Sequence, residues 1–309
     1  MEKYQKILAI IDPTTDDQKA LKRAVELANK TKATITAFLS IYDFSYEMTT
    51  MLSSDEREAM RQSLINDRIQ WLNDIIEDIQ HENLVIDHKV IWHNRPFEPI
   101  IEQVLNHGYD IVIKGTHQHD KLKSVIFTPT DWHILRKCPC PVLLVKEHSW
   151  PSNGNIIAAI NVGSDEEEHQ SLNNKITEEA VNLSKLIVAN VHLVNSFPGT
   201  PVNIAIEIPE FNASEYNDSM FNHHKDAMAS HAHAFDIEDE NTHVKEGLPE
   251  DVIEKLSNEY DAELVILGTI GRTGFSAALI GNTAEHVIDR LNCDLLALKP
   301  DGYVSPLAH

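Results

Sequence analysis

The sequence predicts an α/β protein of two tandem doubly wound domains, each on a five-stranded parallel sheet. The first observation is an internal repeat. Lys6-Ile-Leu-Ala-Ile-Ile-Asp12 resembles Asn155-Ile-Ile-Ala-Ala-Ile-Asn161 at an offset of 149, and two later segments match at an offset of 153. A drift of four residues across half a chain means two copies of one domain, not a solenoid of small units. The second observation is that the apolar runs lack polar alternation, as strands covered on both faces do. The third is that these runs alternate with helical periodicity. That order gives right-handed crossovers and places ligands at the carboxyl ends of the strands. A chain of 309 residues suits about two domains. They are expected at 1–150 and 151–309, joined near the Pro/Ser/Asn/Gly-rich stretch 148–154.

In the first half, strands are expected near 7–11, 34–39, 85–90, 111–114 and 142–145, with helices near 17–29, 55–80, 97–106 and 130–137. In the second, strands are expected near 156–160, 187–194, 242–244, 264–267 and 295–298. The long segments 55–80 and 219–235 read as amphipathic surface helices packed on the sheets. Residues 195–217, with three prolines and a glycine, read as a long loop able to cover a ligand crevice.

The richest segment runs from Gly268 to Thr283, between an apolar strand and an amphipathic helix. Gly268 and Gly271 let the backbone approach an anion without β-carbon interference, and Gly281 permits the turn into the helix. Asn282 with Glu285 forms a capping-box-like pair that sets the helix start at Thr283. The first amides of that helix lack intrahelical partners and favour a phosphate. Arg272 either adds a charge-assisted contact or faces water. Asn161, ending the first strand of this half, lies across the same crevice, where it can bond a ribose hydroxyl or a base edge. Val194, ending the second strand, completes the candidate set. In the first-half copy, Gln118 replaces Gly271, Thr128 replaces Gly281 and Pro129 replaces Asn282. Thr128 still caps a helix with proline at its first position, but proline deletes one amide donor. Asp131 adds negative charge at the mouth. The fold is kept and the cradle is lost.

The net charge of −22 is unevenly shared: residues 1–150 carry 18 basic against 22 acidic residues, residues 151–309 only 8 against 26. Such a field repels nucleic acid. Yet no acid occurs between Gly268 and Ala284. No apolar run reaches the ~18 residues of a membrane span, and the N-terminal apolar segment is too short for a signal peptide. A cytoplasmic location without membrane insertion is expected. Cys138, Cys140 and Cys293 read as structural or incidental thiols, the proline in Cys138-Pro-Cys140 disfavouring a bridge. His223, His224, His231 and His233 lack metal-site spacing and read as a solvated helix face, so no metal site is expected. His117, His119, Trp132 and His133 around the first-half loop read as ordinary packing, and Asp165 to Glu168 as the acidic start of a surface helix.

At the glycine loop the chain resembles the universal stress protein family, in particular its tandem-domain members. The family's nucleotide loop is G-x2-G-x9-G-[S/T], which Gly268, Gly271 and Gly281 match, with Asn282 in place of the Ser/Thr and Thr283 next. The resemblance covers essentially the whole chain. It implies Rossmann-like five-stranded sheets, ATP or another nucleotide in one subgroup, and dimerisation through the last strand. Were that mode internal here, strands 142–145 and 295–298 would pair and make the monomer a pseudo-dimer, open to further dimerisation. ATP-binding members usually end the first strand in an acid. Asp12 keeps it beside the altered loop, and Asn161 replaces it beside the intact one.

The expected function is a stress-response protein whose second domain binds a nucleotide or other phosphate-bearing metabolite, acting by ligand-dependent regulation or sequestration. No nucleophile motif, paired carboxylates or Walker-type lysine stands out, so no catalytic residue is named. A slow ATP hydrolase assisted by Mg2+ is the second reading. A scaffold binding a protein or an apolar ligand through the first-half pocket is the third.

Overall fold

A computed structural model describes residues 3–48, 51–79, 83–118, 125–126, 128–146, 149–200, 212–269 and 282–308, with the backbone alone at 117–118, 125–126 and 282–284. The chain divides into two compact units, Met1–Lys146 with Val304–His309, and Glu147–Tyr303.

The first unit runs β1 (Lys6–Ile10), α1 (Lys19–Thr31), β2 (Thr34–Ile41), α2 (Phe44–Glu47), α3 (Ser54–Asp78), β3 (Ile86–Trp92), α4 (Phe97–His107), β4 (Ile111–Gly115), β5 (His117–Gln118), β6 (Val125–Ile126), α5 (Pro129–Lys137) and β7 (Val142–Val145). Its main sheet has the order β7-β4-β1-β2-β3, all parallel. The second unit runs β8 (Asn155–Ala159), α6 (Glu167–Ile187), β9 (Asn190–Phe197), α7 (Ala213–Ala234), β10 (Thr242–Glu246), α8 (Pro249–Glu259), β11 (Leu264–Gly268), α9 (Asn282–Arg290) and β12 (Asp294–Leu298). Its order is β12-β11-β8-β9-β10, again all parallel. The predicted doubly wound architecture is present in both halves.

Strands β4, β7, β11 and β12 are buried along nearly their whole length, as the unbroken apolar runs require. Strands β3 and β10, each at one end of its sheet, carry exposed polar residues such as Asp87, His88 and Lys245, which discourage further pairing.

Several boundaries depart from expectation. The apolar residues Leu186, Ile187 and Val188 belong to the end of α6, where Ile187 is buried and Val188 takes a left-handed cap at φ 56°. Strand β9 therefore starts at Asn190 and continues to Phe197, three residues into the expected loop. Residues 201–211 of that loop lie outside the described residues, and 213–217 already belong to α7, which starts six residues before the expected 219. Helix α9 begins at Asn282 itself rather than Thr283.

Helix α3 is less amphipathic than expected. It opens on a capping box between Ser53 and Glu56, but only Leu72, Ile75 and Ile76 near its end are buried. Helix α7 corrects the histidine reading. Met220, His224, Met228 and Ala232 recur every fourth residue, and the last three are buried. His231 shares a 2.8 Å hydrogen bond with the Thr177 hydroxyl. His224 and His231 thus face inward, whereas His223 and His233 are exposed, as the solvated reading had it.

The altered loop of the first unit forms a small antiparallel ribbon between β5 and β6, placing Gln118 opposite Val125. Thr128 caps α5 as expected, in a full capping box with Asp131. Asp131 does not charge a solvent mouth. It is fully buried and pairs with the Lys114 ammonium at 2.6 Å. The second unit has Leu267 and Ala284 at the equivalent positions.

Near the amino ends of β8, β9 and β10, His192 Nδ1 lies 3.1 Å from His243 Nε2, and Asn155 Oδ1 accepts from His192 Nε2 at 3.2 Å. Tyr260 packs on both rings. Burial holds both imidazoles neutral, and the His192 ring adds to this at His243, which is pushed down to about 4.

Two outcomes follow from these buried groups. The unfolded chain protonates His243 near its ordinary 6.5 and the folded chain only near about 4, so between them the unfolded state binds more protons. The stability this group contributes is full above 6.5 and declines as pH falls towards 4. Melting temperatures across that window check this, and His243→Gln should flatten the slope. Separately, Asp131→Ala strands a buried lysine and should cost about 3–5 kcal/mol. Lys114→Leu combined with Asp131→Ala, which copies the second unit, should cost less than Asp131→Ala alone in a urea double-mutant cycle.

Candidate functional site

The turn after β8 starts with backbone groups that neither sheet nor helix can satisfy. In the second unit a buried carboxamide takes this role. The Asn161 N–H donates to Asn173 Oδ1 at 2.9 Å, and Asn173 Nδ2 donates to the Asn161 carbonyl at 2.8 Å. The next amide, of Val162, donates to Asn195 Oδ1 at 3.1 Å. That bond orients the Asn195 amide, whose Nδ2 then donates to His224 Nδ1 at 2.9 Å. His224 therefore carries its proton on Nε2. Burial, reinforced by the neighbouring His223, lowers its pKa and keeps the ring neutral. Its ring stacks on Phe197 and covers Gly163, where a β-carbon would lie 2.7 Å from Nε2. Gly163 is thus required by a side chain of the same unit.

Above this turn opens a cavity of about 550 Å³ at the carboxyl ends of β8, β9 and β11. Its walls are mainly apolar, among them Leu172, Ile176, Met220, Ile253, Leu267 and Val287. The polar lining includes Asn161, Asn173, His169 and His224. His169 Nδ1 lies 3.0 Å from a Glu166 carboxylate oxygen.

Of the predicted site residues, Asn161, Val194 and Gly268 all line this cavity. Asn161 is exposed at its rim, and Val194 is buried in β9, its carbonyl accepting from the Ile160 N–H. Asn282 and Thr283 form the first turn of α9, and Val287, one turn further, reaches the cavity wall. Gly271, Arg272 and Gly281 lie outside the described residues.

Gly268 has a different reason from the one expected. A β-carbon there would lie 2.8 Å from Leu172 Cγ on α6, so glycine is needed for helix-on-strand packing. Gly115, its equivalent, would meet Lys19 Cβ at 3.7 Å and the Ala20 nitrogen at 3.9 Å, both ordinary contacts. Sequence reasoning missed Asn173, Asn195, His169 and His224 as parts of the site. The fourfold spacing of Met220, His224 and Met228 was the available signal for an inward face. Among the described residues, no group of three or more His, Cys, Asp or Glu side chains is placed to hold a metal ion, and no helix is long and apolar enough to cross a membrane.

In the first unit, a carboxamide grips the corresponding turn. The Asp12 N–H donates to Gln18 Oε1 at 2.9 Å, and Gln18 Nε2 donates to the Asp12 carbonyl at 2.8 Å. The Asp12 carboxylate accepts from the Thr14 amide and hydroxyl.

The model of the universal stress protein family matches residues 3–146 and again 154–299. Universal stress protein E of Escherichia coli (strain K12) is 52% identical over 308 residues, covering 99% of this chain and 98% of its own. A putative universal stress protein from Pseudomonas aeruginosa UCBPP-PA14, solved by crystallography, is 30% identical with a TM-score of 0.72, covering 98% of this chain and 96% of its own. A protein of unknown function from Pseudomonas aeruginosa PAO1 has a TM-score of 0.75 at 29% identity, covering 98% and 95%.

The two equivalent glycines make a matched test. Gly268→Ala should cost about 1–3 kcal/mol through overpacking, whereas Gly115→Ala should be close to neutral. The Gly268→Ala cost should shrink in a Leu172→Ala background. Denaturant unfolding of the four variants measures each difference.

Proposed function

The chain belongs to the universal stress protein family, and from that premise we propose that its second unit binds a nucleotide or nucleotide-containing metabolite in the cytoplasm. The observation that carries the reading is the cavity at the carboxyl ends of β8, β9 and β11, which brings Asn161, Val194 and Gly268 together beside the start of α9. Ligands of doubly wound sheets bind at this end. The apolar walls suit the faces of a base, and the exposed Asn161 suits a ribose hydroxyl or a base edge. A phosphate would lie towards α9, where the free amides of a helix start favour negative charge. Gly271, Arg272, Gly281, Asn282 and Thr283 are the residues of the intervening loop and helix start that would hold it.

ATP, with Mg2+ offsetting part of its phosphate charge, is the first ligand to test. The clamps on Asn161, Val162 and His224 already join the ligand-facing turn to α6, β9 and α7. Occupancy would therefore be felt across those elements. The protein acts in this reading by ligand-dependent regulation or sequestration during stress, with no turnover required.

Native mass spectrometry of freshly purified protein should show a retained ligand of nucleotide mass, or stoichiometric uptake of added ATP. Gly271→Leu should weaken that uptake by roughly tenfold or more, since a bulky side chain fills a backbone approach. Absence of both retained ligand and ATP, ADP or AMP uptake by the unaltered protein would sink the proposal.

A further inference from the structure

The first unit holds a feature that ligand binding in the second does not use. Cys138 and Cys140 flank Pro139, and their sulfurs lie 3.6 Å apart. The proline between them leaves the two sulfurs in contact, although no bridge joins them. Cys138 is fully buried at the end of α5, its N–H donating to the Ile134 carbonyl at 2.9 Å. Cys140 is partly exposed. On its other side the Pro141 carbonyl accepts from the Val112 N–H of β4 at 2.9 Å. Helix α5 therefore anchors one end of the three-residue link and β4 the other. Pro139 further restricts the backbone between them.

We propose that Cys138 and Cys140 form a reversible redox site that closes to an intramolecular disulfide on reaction with a low-molecular-weight disulfide of the glutathione type. A protein disulfide needs a sulfur separation of about 2.05 Å, so closure requires the two atoms to approach by only about 1.5 Å. The difference in exposure assigns the order of events. The Cys140 thiolate attacks one sulfur of the external disulfide, whose S–S bond breaks and releases one thiol. Cys138 then attacks the Cys140 sulfur in the mixed disulfide and releases the second thiol. The protein loses two electrons and two protons, which leave on the two small thiols, and the external disulfide is reduced. This resolving step needs the second cysteine close by and inside, which is where Cys138 sits.

The hydrogen bond to the Cys138 sulfur, together with burial, pushes the Cys140 thiol up from its ordinary range. Thiolate is the attacking species, so the pair reacts slowly and stays reduced under mild conditions. Transient bridges of this kind are the usual use of disulfides in a reducing compartment. The second unit supplies an internal contrast: Cys293 is present at the place of Cys140, but Leu291 stands where Cys138 does.

Both cysteines fall in one tryptic peptide, residues 138–146, and Cys293 falls in another, residues 291–309, because trypsin does not cut before Pro300. The folded full-length protein is treated with glutathione disulfide, acid-quenched, alkylated with N-ethylmaleimide and digested. The expected result is a fall from three alkylated thiols to one, with peptide 138–146 lighter by two hydrogens and restored by dithiothreitol. Cys138→Ser should stop at a stable glutathione adduct on Cys140, and Cys140→Ser should leave Cys138 unmodified. A persistent adduct in the unaltered protein, full alkylation of both thiols, or a cross-link to peptide 291–309 would overturn the assignment. The unaltered protein alone decides these outcomes, whether or not the serine variants fold.

Discussion

A parallel strand covered on both faces must still end, and its end leaves backbone donors and acceptors that no ladder or helix satisfies. Both units meet this constraint at the turn after their first strand with a buried carboxamide. Gln18 grips the N–H and carbonyl of Asp12, and Asn173 grips those of Asn161. In the second unit the turn is held from beneath and the Asn161 side chain stays at the cavity rim, whereas in the first the Asp12 carboxylate also accepts from the Thr14 amide. The second unit extends the device through Asn195 to His224, so that one chain of hydrogen bonds ties the turn to β9 and α7. A site built this way is preorganised, since its polar groups are oriented before any ligand arrives.

The two units show how one fold tolerates opposite solutions at the same place. Where the first places Lys114 and Asp131 in a buried pair, the second places Leu267 and Ala284. Asp131 also caps α5, so an internal carboxylate sits at the helix start where an anion would otherwise be welcome. The first unit thus supplies its own negative charge, and its altered loop pairs His117–Gln118 with Val125–Ile126 as the β5–β6 ribbon. The equivalent glycines divide similarly. Gly268 is required by Leu172 packing, while Gly115 meets nothing closer than an ordinary contact. A shared glycine therefore does not mean a shared purpose.

Much of this was legible in the linear chain. The repeat, the alternation of strand and helix and most of the element limits followed from apolar runs and their spacing, because burial on both faces leaves a direct mark on composition. The capping of α5 by Thr128 was equally local. The misreadings arose where apolar character served two roles. Ile187 was read as strand because an apolar residue at a helix end looks the same as one at a strand start. His224 was read as solvated because a histidine's type says nothing of its surroundings, although its fourfold spacing with Met220 and Met228 did. Asn173 and Asn195 carried no signal at all, since a carboxamide in a helix or strand is unremarkable until its partner is known.

The sequence by itself determined the fold class, the duplication, the family and the end of the sheet where a ligand would bind. The family rests on the resemblance at the glycine loop, and the others on periodicity and composition, which are properties of neighbours along the chain. Only the tertiary structure decided that Asp131 is neutralised by Lys114, that Gly268 yields space to Leu172, and that Cys138 and Cys140 face each other. These depend on which side chains meet across elements, and on burial. The physical reason is that charge, packing and thiol reactivity are set by the few ångströms around an atom, and those ångströms are filled mostly by residues from other elements.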